Sequence, residues 1–398
     1  MALGWIDFSK NERNKVLSVL DLLMEQGALD ELGIAPVRDG FSNLFFPGTS
    51  TIQTRAKYFL IVPYALKDLE YSKETNPYRC AKEFDKAERE CGEKLMTTGE
   101  DTEGVIGNRS LKQGNWVKRT PADIYWAGLR NYEIVRNNMT LNEYIKALCI
   151  TKSEKAELLK LGNRNDQSED KDSDDKDAGN LFKLQLLNIP TYSRDWKEEL
   201  SIRLTAEEGQ FLKTQIIHSK PDSLLAFILK NNMTEILRLR TFQDLRSIRE
   251  SFPAGIQVDY ILAASFSEFF YVLQVLYNII VSDGHNVKAN EEWEHIHAQL
   301  SERSKVDLES IYEKLNIYRN PGLCKFLRRC QSSMNDGDVE GLKREIIKRE
   351  FDIKTSRAKT RHPGEYDVTS WFGGGQLGYR FGDAKTIIRD IWESEGLC

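Results

Sequence analysis

The residues best suited to binding chemistry form a basic run near the C-terminal end of the chain. Residues 343–361 contain eight Lys or Arg and three Asp or Glu, and the run ends in Lys354, Arg357, Lys359 and Arg361 with hydroxyl side chains between them. Cations that alternate with hydroxyls in a segment of low apolar content are suited to phosphate contact. We therefore predict that these four residues bind nucleic acid. A solvated helix end with a loop, or a surface for an acidic protein, is the alternative.

A second candidate set lies near the N-terminus, where the Phe-Pro-Gly sequence of residues 46–48 separates two apolar runs. The pattern predicts a helix over 37–45, a tight turn, and a second helix that carries Gln53, Arg55 and Lys57 in its first turns. A recognition helix presents such side chains to base edges or phosphates, so we predict that these three also bind nucleic acid. The alternative is a helical hairpin packed through its apolar side chains. Both interpretations hold together if Arg55 points outward.

A third arrangement could hold a divalent metal ion for phosphodiester hydrolysis. Glu350, Asp352 and Lys354 resemble the carboxylates and lysine of a restriction-type nuclease, but no strand-borne aspartate precedes them. The histidines within residues 285–297 lack the i, i+4 spacing of a helical zinc site. A metal-dependent nuclease therefore stays an alternative, and we predict no metal ligands.

Other catalytic signatures are absent from the sequence. It contains no Walker A loop, no G-x-S-x-G elbow and no H-E-x-x-H motif. The glycines of residues 373–378 match the dinucleotide spacing, but too little chain follows for a complete dinucleotide-binding unit. The alternative is a turn that lets Trp371, Phe372, Tyr379 and Phe381 fold together. We assign no catalytic residues, expect no cofactor, and lean towards a protein that is not an enzyme.

Composition restricts the partners and the compartment. The chain has 398 residues, with 56 Lys plus Arg against 61 Asp plus Glu, a net charge of −5. It is therefore not a general polycation, and any contact with nucleic acid must be local. The six cysteines lack C-x-x-C spacing, which is typical of reduced thiols. The start of the sequence lacks a signal peptide, so we expect a cytoplasmic protein, and residues 260–281 predict a core helix rather than a membrane span.

The elements that must position these residues are helices. Capping patterns predict helices that begin near Ser9, Pro77, Pro121 and Thr140, and β-rich runs are few. Residues 166–177 hold seven acidic residues and no apolar side chain, which predicts a solvated segment.

We therefore predict a mainly α protein with two helical domains, 1–162 and 181–398. An acidic linker or surface loop, 163–180, joins them. The N-terminal domain contains a helix-turn-helix or winged-helix element, and a small Gly/aromatic β-hairpin occupies 366–382.

Four segments together resemble a family of uncharacterised bacterial proteins known only as a domain of unknown function. They are LGWIDFS at residues 3–9, DELG at 30–33, LFFPGTSTIQTRA at 44–56 and WFGGGQLG at 371–378. The resemblance covers nearly the full chain and implies a location beside phage-defence genes that encode helicases and phospholipase-D-like nucleases. It implies no catalytic residues.

These observations predict a non-catalytic accessory subunit of an antiphage defence system. Its expected partners are DNA or RNA, or a helicase or phospholipase-D-like nuclease of the same system, and no membrane. A purely structural protein adaptor and a metal-dependent nuclease are the alternatives.

Overall fold

The structure, a computed structural model, describes residues 30–98, 101–165 and 186–398. Within these ranges the chain is mainly helical and contains no β-strand, so the predicted mainly α class is confirmed. The predicted helix that begins near Ser9 and most of the acidic segment lie outside the described residues. The α-helices in these ranges, named in chain order, are Ala35–Phe45 (α1), Tyr58–Tyr71 (α2), Pro77–Thr98 (α3), Asn108–Leu111 (α4), Pro121–Asn131 (α5), Leu141–Asn165 (α6), Ala206–Ser219 (α7), Leu224–Lys230 (α8), Ala254–Val281 (α9), Val287–Ile296 (α10), Leu300–Arg303 (α11), Leu308–Lys314 (α12), Pro321–Asn335 (α13), Val339–Lys354 (α14) and Phe381–Ser394 (α15).

Capping side chains fix the starts of several helices. At α5 the Thr120 hydroxyl accepts a hydrogen bond from the backbone N–H of Asp123, whose side chain accepts from the N–H of Thr120, and Pro121 follows at the first helical position. Thr140 and Glu143 form the same reciprocal pair before α6. Each pair satisfies backbone N–H groups that the helix leaves without partners. The predicted starts of these two helices are confirmed.

The described chain divides into two compact units, each built from two separate stretches. Unit 1 joins residues 30–41 to Pro253–Leu377, and unit 2 joins Ser42–Phe252 to Gly378–Cys398. The predicted domains follow the chain in order on either side of the acidic segment. The structure instead brings stretches from both ends of the sequence into each unit, a pairing that composition along the chain does not reveal.

Helix α9 is the centre of unit 1. It packs against α10, α12, α14 and the 3₁₀ turn Lys359–Arg361. Among the described helices, α9 alone is long and apolar enough to cross a membrane, with a mean hydropathy of 1.4 in its apolar window. Yet 72% of that window is buried inside the protein, as in the core helix of a folded domain.

Aromatic clusters form part of the core of unit 2. The ring of Phe242 lies 5.2 Å from that of Phe45 and 4.9 Å from that of Tyr379. In a second cluster the ring of Phe59 lies 4.9 Å from that of Tyr125, edge to face. Such pairs add to the large apolar area that each ring buries.

The Gly/aromatic segment before α15 forms no β-hairpin. Residues 366–380 run through turns and bends, and α15 begins at Phe381. The predicted hairpin is not present because side chains of α9, rather than a second strand, bond the backbone of this segment. Its predicted aromatic group is also divided, since Trp371 and Phe372 belong to unit 1 whereas Tyr379 and Phe381 belong to unit 2.

Candidate nucleic-acid interface

The candidate segment that carries Gln53, Arg55 and Lys57 lies in a loop of unit 2. The Phe-Pro-Gly turn forms after α1, as predicted, but α2 begins only at Tyr58. Gln53, Arg55 and Lys57 therefore precede the second helix, and the predicted helix-turn-helix is not confirmed. The loop has its own fastening, since the Thr49 hydroxyl donates to the carbonyl of residue 46 at 2.7 Å.

The side chain of Gln53 bridges two backbone groups of this loop. Its side-chain amide donates to the carbonyl of Gly48 at 3.1 Å, and its side-chain oxygen accepts from the backbone N–H of Ser50 at 3.2 Å. Gly48 has a positive φ of 79°, and a side chain there would meet the ring of Tyr132. The amide of Gln53 is therefore used to close the turn, and only 6% of the residue is exposed.

Arg55 is buried between two carboxylates. Its Nε lies 3.1 Å from both carboxylate oxygens of Asp390, and one terminal nitrogen lies 3.0 Å from Asp101. Burial alone would lower the pKa of Arg55, but Asp390 and Asp101 hold it above its ordinary value. Burial raises the pKa of Asp390, and Arg55 opposes that shift. The Asp390 carboxylate also accepts from the N–H of Ala56 at 2.7 Å, so it fixes both the side chain and the backbone of the loop.

Lys57 forms a second buried ion pair. Its ammonium lies 2.7 and 2.6 Å from the two carboxylate oxygens of Glu208, which also accept from the N–H of Thr205 at the start of α7. Lys57 is 5% exposed. Gln53, Arg55 and Lys57 thus all face the interior of unit 2. Their predicted contact with nucleic acid remains untested, but in this structure they contribute to the fold.

The basic run of unit 1 is divided by a buried acidic pair. Lys354, at the end of α14, forms ion pairs with Glu31 and, at 3.3 Å, with Glu350. The Tyr277 hydroxyl lies 3.2 Å from Glu31 and 2.7 Å from Glu350. Burial, together with the Glu350 carboxylate, raises the pKa of Tyr277, so this hydroxyl stays neutral. Lys354 is 4% exposed, and its charge is balanced inside the protein.

Lys359 belongs to the same network but reaches its edge. Its ammonium lies 2.9 Å from a Glu31 oxygen and 5.1 Å from the centre of the Phe372 ring. The next residue, Thr360, donates its backbone N–H to Glu350 at 2.9 Å. These bonds hold the two 3₁₀ turns Thr355–Arg357 and Lys359–Arg361 against α9 and α14.

Arg357 and Arg361 point the other way. Both are exposed, and neither forms an ion pair within the part of the chain that the structure describes. The Arg361 guanidinium lies 3.9 Å from the centre of the Phe351 ring, where its planar face can stack while its N–H groups remain in water. Two of the seven predicted contact residues, Arg357 and Arg361, are therefore exposed without a carboxylate partner in the described chain. Lys359 is partly buried and paired with Glu31.

The alternative nuclease residues are not brought together. Glu350 and Lys354 lie inside the buried network, whereas Asp352 is exposed, because positions two apart project from different sides of α14. The imidazole of His297 contacts backbone carbonyls of its own helical turn. Among the described residues no group of three or more His, Cys, Asp or Glu is arranged to hold a metal ion.

Sequence reasoning missed the acids that neutralise these cations. Asp390 follows Arg55 by 335 positions, and Lys359 follows Glu31 by 328. No pattern in the sequence joins either pair. Only Glu208 had a partial signal, since it lies three residues after Thr205 in a capping box.

Comparison with known proteins gives the chain a family but no function. No curated protein and no solved structure matches it. Residues 1–307 match DUF6361, which is described as a family of unknown function. The matched residues are more than three quarters of the chain and include the segment at residues 44–56 and all of α9. The chain therefore belongs to the family of unknown function DUF6361.

Proposed function

We propose that this protein is a non-catalytic accessory subunit of a bacterial antiphage defence system and that it binds nucleic acid through unit 1. One observation carries the binding part of the proposal. Arg357 and Arg361 are exposed cations without carboxylate partners among the described residues, on a segment whose other two cations, Lys354 and Lys359, are bonded to buried acids. A fixed backbone that presents two arginines lowers the entropy cost of binding a phosphate chain.

The defence part of the proposal rests on family resemblance. The segment 44–56 packs as structural core in unit 2, so it supports kinship rather than recognition of a ligand. The resemblance implies neighbouring helicase and phospholipase-D-like nuclease genes, so such an enzyme is the protein partner that the proposal expects. The proposal uses no helix-turn-helix, since Gln53, Arg55 and Lys57 are buried.

The binding test uses the full chain and labelled DNA or RNA. The Arg357→Gln, Arg361→Gln double variant should weaken binding at least tenfold at low salt and reduce the slope of log affinity against log salt by about 1–2, because two phosphate contacts are lost. The matched control is Lys82→Gln, Lys86→Gln, which removes two exposed cations from α3. Fluorescence anisotropy at several salt concentrations measures both quantities.

Four outcomes contradict parts of the proposal. Equal loss in the control variant would mean that net charge alone governs binding. Absence of binding, with copurification of a helicase or nuclease from the native host, would favour the structural adaptor. Cleavage of plasmid with Mg²⁺ or Mn²⁺ that disappears in Asp352→Ala would favour the nuclease. The defence role itself is overturned if deletion of the gene leaves phage plating unchanged in a host that carries the neighbouring genes.

A further inference from the structure

Polar side chains of the apolar helix α9 hold the Gly/aromatic segment in place. The Gln274 side-chain amide donates to the carbonyl of Phe372 at 2.6 Å, and the Asn278 side chain bonds both the carbonyl and the N–H of the same residue, at 3.1 and 2.7 Å. Further along the segment, Ser267 accepts from the N–H of Leu377 at 2.9 Å. Gln274 and Asn278 are each 1% exposed. These buried groups therefore anchor both ends of residues 372–377 to α9, while residues 373–376 between them are exposed.

A glycine is required where this segment passes closest to α9. Gly373 has a φ of 80°, and a Cβ atom there would clash with the side-chain amide of Gln274. Gly374 also has a positive φ, of 82°, with open space around it. Both glycines thus adopt a backbone conformation that other residues rarely adopt, next to the aromatic pair Trp371 and Phe372.

The aromatic rings of this segment are partly exposed and ordered. The Trp371 ring stacks with that of Tyr271 at a centroid distance of 6.5 Å, and its indole N–H donates to the carbonyl of Gly374 at 2.6 Å. The Phe372 ring lies 5.8 Å from that of Tyr366, edge to face. The rings of Tyr366, Trp371 and Phe372 are neither buried nor fully exposed. Each ring therefore keeps part of its surface in solvent.

Lysine side chains lie over two of these aromatic rings. The Lys288 ammonium is 4.9 Å from the centre of the Trp371 ring, and the Lys359 ammonium is 5.1 Å from that of Phe372. Lys359 lies on the same segment as Arg357 and Arg361, so its contact with Phe372 places that segment beside the ring. Unit 1 therefore combines two aromatic rings with four cations, of which only Lys359 forms an ion pair within the described residues.

We infer that this aromatic-cationic surface, formed by Trp371, Phe372, Lys288 and Lys359 with the two exposed arginines, binds single-stranded nucleic acid. Bases stack on the rings of Trp371 and Phe372, and the Lys288 ammonium moves from the Trp371 ring to a phosphate. Lys359 keeps its bond to Glu31 and holds the neighbouring arginine segment beside the Phe372 ring. A duplex cannot make these contacts, because its bases are already stacked on each other. The inference rests on the proposed function and specifies its substrate class.

The test compares a single-stranded oligonucleotide with a duplex of the same length. Trp371→Ala and Phe372→Ala should each weaken binding of the single strand about 5- to 100-fold, since one base loses its stacking partner, and should change duplex binding less than about twofold. Trp371→Phe keeps a ring and should retain most of the affinity, which separates loss of stacking from loss of folding. The matched control is Tyr78→Ala, since Tyr78 is 68% exposed and has the Lys82 ammonium 4.6 Å over its ring.

The outcomes separate this inference from the proposed function. If the arginine variant loses affinity but Trp371→Ala and Phe372→Ala do not, nucleic-acid binding stands and the stacking surface is overturned. Equal affinity for single strand and duplex, or equally effective competition by polyglutamate, also overturns it, because charge alone would then explain binding. If the protein binds no nucleic acid under any condition, both proposals fail.

Discussion

Two basic segments that look alike in the sequence have opposite environments. In unit 2, Arg55 and Lys57 are both buried against carboxylates, whereas in unit 1 the run ending at Arg361 alternates between buried and exposed cations. The difference lies in the number and the position of the acids nearby. In unit 2, Arg55 and Lys57 are both paired with acids, namely Asp390, Asp101 and Glu208. In unit 1 the buried acids form ion pairs with Lys354 and Lys359 but not with Arg357 or Arg361.

The comparison shows that cation density along a sequence does not measure positive charge on a surface. A buried ion pair offers nothing to a phosphate, and separating it leaves an uncompensated charge. An exposed arginine costs little and keeps its donors free. The unit 2 segment should therefore respond to substitution through stability, and the unit 1 arginines through binding.

The largest expected effect is on the Arg55 site. Arg55→Ala should lower the free energy of unfolding by about 3–5 kcal/mol, because the buried Asp390 carboxylate loses its cation. Urea unfolding followed by circular dichroism measures the change. Arg109→Ala, which removes an exposed arginine from α4, is the control and should stay within about 0.5 kcal/mol. A stable Arg55→Ala protein with weakened nucleic-acid binding would reverse the comparison and restore Arg55 as a contact residue.

A pair of neighbouring residues in unit 1 gives the next effect. Lys354→Met should destabilise the protein by about 2–3 kcal/mol, because Glu350 and Glu31 lose a buried partner while Lys359 and Tyr277 still contact them. Arg357→Gln, three positions later, should change the free energy of unfolding by less than about 0.5 kcal/mol. The same urea titration serves both variants. If both variants lost a similar free energy of unfolding, the buried pairing of Lys354 would contribute no more to stability than the exposed Arg357 does.

The last expected effect depends on pH and concerns a buried acid, Glu88, that forms no ion pair within the described part of the chain. Glu88 accepts from the N–H of Ala122 at 2.6 Å, and burial raises its pKa to about 8. Since the folded state binds a proton that the unfolded state has released, stability should fall as pH rises from about 4.5 to about 8. Glu88→Gln removes this titration, so its advantage in stability should grow by up to about 1.4 kcal/mol per pH unit between pH 4.5 and pH 8, with the two proteins alike near pH 4.

Thermal unfolding of both proteins from pH 4 to pH 9 measures that gap. Asp390→Asn is the contrasting variant: Asp390 is paired with Arg55, so its substitution should destabilise the protein at pH 8. A constant gap across this range for Glu88→Gln would show that the carboxyl does not titrate within it.

Local features of the fold were accessible from the sequence. Thr120 with Pro121, and Thr140 with Glu143, predict the starts of α5 and α6, because capping depends on residues within one helical turn. The apolar run of α9 likewise predicts a long core helix. The position of α2 was not accessible in the same way. Thr49 resembles a helix cap, but side-chain bonds from Gln53 and the remote Asp390 hold residues 49–57 in a loop.

The candidate site was only partly predictable. The sequence locates the basic run and the aromatic segment, but not the contact between Lys359 and Phe372 that joins them. Gln274 and Asn278 are recognisable as polar breaks in an apolar run, which argues against a membrane span. Their role in holding the aromatic segment depends on residues nearly a hundred positions away.

By itself the sequence determined the helical class, the helix starts, the absence of known catalytic motifs and the kinship with one family. These properties depend on local backbone preference, on hydrophobic periodicity and on residue identity. Only the tertiary structure decided which cations are neutralised, because an ion pair depends on distance in space and its partners here lie more than three hundred residues apart in three cases. In the two basic segments it leaves Arg357 and Arg361 exposed, and it buries Arg55 and Lys57 in the fold.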